Sequence, residues 1–201
     1  MSVLCHSYLG PNGAFVNGQK EFDIDFSDRQ YLKVIYENLV IDYPKFHKMD
    51  VLSKLLILTE ELLHEEIPND VNLEDHMALL MANRSSSAVV DQKFIDSYTL
   101  QNNPSPSLFV YTLPNIAIGE LSIRRKWYGE NSFFIAEQFD ANFFIRQCEG
   151  AFRNGNTHAL CAWIEADMRG NEECFLFLVT HSEEENLEQA LIDILNTYRN
   201  E

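Results

Sequence analysis

Residues 138–153, QFDANFFIRQCEGAFR, set Phe139, Phe143, Phe144, Ile145, Cys148, Ala151 and Phe152 on one helical turn after another. At about 100° per residue these side chains occupy much of the circumference, and a helix apolar on most sides belongs inside a protein. The segment therefore predicts an internal helix that needs other elements packed around it. A chain of 201 residues supplies them, since folding at this size buries roughly 70% of the unfolded surface.

The surroundings read as α/β. Residues 159–164 (ALCAWI) and 173–180 (ECFLFLVT) are strands joined by a hairpin at Gly170-Asn171. The N-terminus reads as a short strand followed by a turn at Gly10-Pro11-Asn12-Gly13. A helix fits 27–43 on Tyr31, Leu32, Ile35, Leu39 and Val40, capped by Ser27 or Asp28 and ended by Pro44. A second helix fits 50–64, capped by Asp50. Residues 76–82 read as a buried strand by length, although Met, Ala and Leu are weak strand formers. A short helix at 92–98, a proline loop at 102–107 and a helical pattern over 115–125 follow, with 108–113 open between strand and helix. A short buried strand fits 132–135, and a last helix fits 183–199, with Glu183, Glu184 and Glu185 at its positive end.

Charge and motif content exclude several functions. The formal net charge is −16, the wrong sign for gripping phosphate backbones or anionic membranes. No apolar run reaches the ~20 residues of a membrane span, and the N-terminus lacks the pattern of a signal peptide. The four cysteines form no C-x-x-C pair, and the six histidines form no ligand array. No metal or cofactor is expected, and a reducing cytoplasm is the default. His64-Glu65-Glu66 reads as a solvated helix end, and Ser85-Ser86-Ser87 as a strand-to-helix turn. Arg124-Arg125-Lys126 is the densest basic cluster; it reads as helix C-terminal charge or as a docking point for an acidic partner.

The stretch NPSPSLFVYTLPNIAIGELSIRRKWYGENSFF, residues 103–134, resembles the β-ketoacyl synthase family of the thiolase-like fold. Ser105, Pro106, Phe109, Pro114, Asn115 and Gly119 follow the family's S-P-x-x-F-x-x-x-x-P-N loop and its small-residue helix. Gly129-Glu130-Asn131 stands for the family's G-P-N. FHKM with LSKL, LLMANRSSSAVVD, and FRNGNTHALCAWIEA extend the resemblance over about 43–165.

The resemblance implies a single ketosynthase-like N-terminal half-domain over 1–201, a mixed sheet with a buried nucleophile-type helix and flanking helices. The family's nucleophilic cysteine lies nine positions after the glycine of G-P-N. Here that position is Gln138, and Gly155 keeps the register 26 positions after Gly129. An amide forms no thioester, and the string Ala136-Glu137-Gln138 is similar to the chain-length-factor branch. The family's C-terminal histidine pair has no counterpart. The implied role is a non-condensing, chain-length-factor-like subunit of a polyketide, aryl-polyene or fatty-acid-type pathway, a pseudoenzyme with Glu137, Gln138, Phe139 and Phe143 shaping a pocket or interface. Its expected partner is a full-length ketosynthase or a second copy, which would cover the phenylalanine stripe unless the terminal helix does so. The alternative is a malonyl-carrier-protein decarboxylase or acyltransferase completed in trans. A third reading is an acyl-carrier-protein binding module, supported by Arg124, Arg125 and Lys126 and opposed by the acidity of both proteins.

Overall fold

The computed structural model describes residues 1–26, 28, 30–68, 73–182 and 186–200. Strand β1 (Ser2–Gly10) and the expected turn are followed by a second strand, β2 (Gly13–Val16), which closes a hairpin over Pro11-Asn12. β3 (Gln19–Phe22) returns along β2 through Asn17-Gly18, both at positive φ, as a tight hairpin requires.

Helix α1 (Tyr31–Asn38) is shorter than the 27–43 pattern. Val40 takes φ 52°, a conformation that ends a helix at a β-branched residue, and Pro44 opens a 3-10 turn, Pro44–Lys48, instead of merely stopping α1. Of the two expected caps, Ser27 lies outside the described residues, and the Asp28 carboxylate accepts from the Gln30 amide. α2 (Val51–Leu63) matches its expectation, with the Asp50 carboxylate accepting from the Leu52 and Ser53 amides.

β4 (Met77–Asn83) is buried along its whole length, so burial outweighs weak strand propensity. α3 (Ala88–Thr99) is longer than 92–98, because Asn83 brackets Ser86 through its side-chain amide and lets the helix start early. Residues 108–113 are helical at their start: Ser105 caps α4 (Pro106–Val110). α5 (Ile116–Arg125), β5 (Asn131–Ile135), α6 (Ala141–Arg153), β6 (His158–Ala166), β7 (Glu172–Thr180) and α7 (Leu187–Asn200) complete the chain. The three glutamates expected to open the last helix, residues 183–185, fall outside the described residues.

The strands form one mixed sheet in the order β3-β2-β1-β7-β6-β4-β5. β4, β5 and β6 run parallel; β1, β2, β3 and β7 join antiparallel. Alternate side chains point to opposite faces. Leu9, Leu79, Met81, Leu160, Leu176 and Leu178 meet α1, α2 and α5 on one face. Phe15, Leu80, Cys161, Trp163, Phe175 and Phe177 meet α6 and α7 on the other.

This layering moves the internal helix. α2, not α6, is enclosed nearly all round: Leu52, Leu55, Leu56, Ile57, Leu58, Thr59 and Glu60 are all buried. α6 buries Ala141, Phe144, Cys148 and Ala151, and turns Asn142, Arg146 and Glu149 to solvent. Its remaining phenylalanines are half-buried, because α7 lies beside it and brings Leu187, Leu191, Ile192, Leu195 and Tyr198 onto the same sheet face. The terminal helix therefore supplies the cover that the sequence left open between it and a partner. Among the described residues no helix is long and apolar enough to cross a membrane.

Candidate functional site

β4, β5 and β6 end at the same edge of the sheet, the edge where open α/β sheets place their ligands. Arg84 and Ser85 after β4, Glu137, Gln138 and Phe139 after β5, and Glu165, Asp167 and Met168 at the end of β6 line a cleft of about 500 Å³, with Arg199 of α7 at its side.

Gly129 makes the approach to β5. A Cβ there would stand 2.4 Å from the Met77 carbonyl oxygen, so only glycine lets the chain pass β4. The Leu79 amide then donates to Glu130 O at 2.8 Å, and Ala136 donates to Asn83 O at 2.8 Å, which closes the β4–β5 ladder. β5 is a half-buried edge strand, not the buried strand expected at 132–135, because β4 pairs with one side of it only.

Glu137 and Gln138 follow as exposed residues, and Phe139 turns inward. Its ring centroid lies 5.6 Å from Phe144, 5.7 Å from Phe175 and 6.5 Å from Trp163. Asp140 is extended, and its Oδ1 accepts from the Phe143 amide at 3.1 Å. That cap sets the start of α6 at Ala141, three residues after the expected start, and leaves Gln138 on the loop. Phe143 stands apart from the cleft: it packs edge-on against Phe134, with centroids 4.9 Å apart.

The polar groups of the cleft are held by their neighbours. Burial works against the Asp167 charge, but bonds from the Asn171 side chain and amide and from the Arg169 amide outweigh it and hold the carboxyl below its ordinary value. Glu173 pairs with Arg199, and Glu165 accepts from the Arg84 amide at 2.8 Å. Among the described residues no histidine or cysteine lines the cleft. Cys148 is a packing residue on α6, with its Sγ 3.5 Å from that of Cys161, and both are buried. Burial pushes the Cys161 thiol well above its ordinary value, and Cys148 beside it adds to the effect.

The basic cluster is largely internal. Arg125 Nε lies 2.8 Å from both carboxylate oxygens of Glu60, which is fully buried, and Arg124 and Arg125 share Glu61. The Arg124 guanidinium also lies 4.7 Å from the centroid of the Tyr43 ring. Lys126, at φ 58°, is exposed. His64 joins the group, its Nδ1 3.4 Å from Glu60. The serine run forms the expected turn; Ser87 donates to the Thr112 carbonyl at 2.7 Å. Among the described residues no group of three or more His, Cys, Asp or Glu is placed to hold a metal ion.

The lining contributed by Trp163, Glu165, Asp167 and Arg199 was not foreseen from sequence. Its one signal there is position: three of the four follow or end β6, at the carboxyl edge of the parallel strands.

The mixed α/β fold is similar to that of chains in ketosynthase assemblies of the thiolase-like fold, as structural comparison shows. No protein-family model and no curated protein matches the sequence. Among solved structures, a chain of the ketosynthase ApeO in complex with its chain length factor ApeC from Xenorhabdus doucetiae superposes with a TM-score of 0.65 at 13% identity, over 100% of this chain and 93% of that one. The ishigamide ketosynthase/chain length factor gives 0.60 at 18% identity over 92% of this chain. A type II PKS acyl-carrier protein in complex with its ketosynthase bound to the hexaketide gives 0.57 at 14% identity over 90%. This chain spans 63% of the length of each of the latter two.

Proposed function

We propose that the chain is a non-condensing, ketosynthase-like accessory subunit, a half-domain over 1–201 that associates with a full-length ketosynthase or with a second copy of itself. The observation that carries the reading is mutual coverage: a chain of a ketosynthase–chain length factor complex overlaps this one end to end, 100% against 93%. This fold, over this length of chain, thus has a counterpart within such an assembly.

Gln138 is read as the residue at the family's nucleophile position, and the approach through Gly129 supports that register. Its amide forms no thioester. The Asp140 carboxylate sits at the positive end of α6, where a thiolate or oxyanion would need that end to itself. The open edge of β5 favours association, because an edge strand offers unpaired backbone donors and acceptors to another chain. Ile135 on it is 57% exposed. The setting we infer is a cytoplasmic polyketide, aryl-polyene or fatty-acid-type pathway. An acyl carrier protein would be met through the ketosynthase, since Arg124 and Arg125 are engaged with Glu60 and Glu61.

Co-expression with a full-length ketosynthase from the same organism, followed by size-exclusion chromatography with light scattering, tests this. A stoichiometric complex, lost in Ile135→Lys, is expected. A monomer at micromolar concentration that ignores the ketosynthase would sink the proposal. Turnover of a malonyl carrier protein by the mixture, abolished in Gln138→Ala, would instead favour a decarboxylase or acyltransferase completed in trans.

A further inference from the structure

A second cleft, of about 310 Å³, lies among α1, α2, α3, α4 and the start of β7 and shares no lining residue with the one at Gln138. Lys48 enters it from the 3-10 turn, Lys54 from α2 and Lys93 from α3, above an apolar lining that includes Met49, Val51 and Val89. We propose that this cleft binds a small amphiphilic anion, a phosphate or carboxylate head on a short apolar body.

The charge pattern argues for it. In a chain of net charge −16, cations have carboxylates to choose from. Lys20, Lys33 and Lys45 take them, pairing with Asp23, Glu37 and Glu120 at 2.5, 3.6 and 2.5 Å. Lys48, Lys54 and Lys93, like several other cations, form no ion pair among the described residues; what sets them apart is that three elements bring them to one cleft, with Lys54 half-buried and Lys48 and Lys93 exposed. Two acids also line it: Asp50, which caps α2, and Glu172, which accepts from the Tyr31 hydroxyl. Burial raises the pKa of both carboxyls.

Lys54 is half-buried, with Nζ 5.7 Å from the centroid of the Phe46 ring. Burial lowers its pKa, and the nearby charge of Lys93 lowers it further, against a smaller opposing effect of Asp50. Converging like charges in a partly dry cleft are unfavourable until an anion enters. The apolar lining selects for an anion that carries an apolar body, because that body leaves water when the head is bound. The inference is independent of the proposed subunit role.

Calorimetric titration of the full chain with hexyl phosphate, hexanoate, inorganic phosphate and hexylammonium tests it. The two amphiphilic anions are expected to bind saturably, more tightly than inorganic phosphate, with affinity falling as salt is added; hexylammonium is expected not to bind. Whichever of the two hexyl anions binds tighter identifies the head. Lys54→Gln and Lys93→Gln should each weaken binding about tenfold or more, the loss of one charge-assisted bond. Lys54→Arg should retain binding, and Lys33→Gln should leave it unchanged. Thermal melts check that each variant is folded. No saturable binding of either hexyl anion, or equal binding by folded Lys54→Gln, overturns the proposal.

Discussion

Replacing Arg125 with Met removes the guanidinium that faces Glu60 and keeps most of the side chain's volume. Glu60 has no exposed surface, and both its oxygens lie 2.8 Å from Arg125 Nε. Removing one member of a buried pair leaves a charge that water cannot reach, at a cost of about 3–5 kcal/mol. His64, 3.4 Å from Glu60, offers limited relief, and Arg124 still holds Glu61. In a domain of this size each kcal/mol moves the melting temperature by roughly 2–4 °C, so Arg125→Met should melt about 6–20 °C lower. Differential scanning calorimetry or a circular-dichroism melt reads this directly. Two controls isolate the cause. Lys126→Ala removes an exposed charge and should change stability by less than about 0.5 kcal/mol. The double variant Glu60→Leu with Arg125→Met removes both charges and should recover most of the loss. An Arg125→Met melt within 2 °C of the parent's, measured with the standard error well below that, would refute the reasoning and return the cluster to the surface as a docking element. If the loss appears, charge reversal at Arg125 cannot serve as a docking assay, because it reports unfolding.

Two further outcomes follow from the packing around α6 and the sheet. Asp140→Ala deletes the cap on the Phe143 amide and should cost about 1 kcal/mol in urea unfolding, with Asp140→Ser recovering most of it. Burial pushes the Cys5 and Cys174 thiols up to about 12 from an ordinary 9.0. Their protonated forms are favoured only in the fold, so this contribution is complete below pH 9 and is lost as pH rises towards 12. Ellman's reagent at pH 8 should reach none of the four buried cysteines before unfolding, and the urea midpoint should fall between pH 8 and pH 10. A midpoint that rises with pH, or stoichiometric thiol reaction in the folded protein, contradicts this.

Local signals in the sequence were enough for most elements. The Asp50 cap followed by a leucine-rich run placed α2 within a residue of its ends, and Gly170-Asn171 between two apolar runs placed the β6–β7 hairpin. The same logic overextended α1 and α6. What stops them is a left-handed Val40 and an extended Asp140, conformations that depend on where the chain must go next. Glu137, Gln138 and Phe139, named from the resemblance by register from Gly129, line the cleft. The rest of the cleft was not legible, since Trp163, Glu165 and Arg199 reach it from β6 and α7, distant in sequence.

The two phenylalanine- and leucine-rich helices separate the two kinds of information most clearly. Apolar content by itself determined that both 50–64 and 138–153 must bury a face. Only the tertiary structure decided which helix is enclosed. α2 is covered from several sides by the sheet, α1 and α5, whereas α6 shares its sheet face with α7 and turns its polar side to water. It also decided which basic residues are spent: Arg125 meets Glu60 across 65 positions of chain, while Lys48, Lys54 and Lys93 come to one cleft without an ion pair among the described residues. The physical reason is that burial and charge pairing depend on distance in space, and a sequence records distance only along the chain.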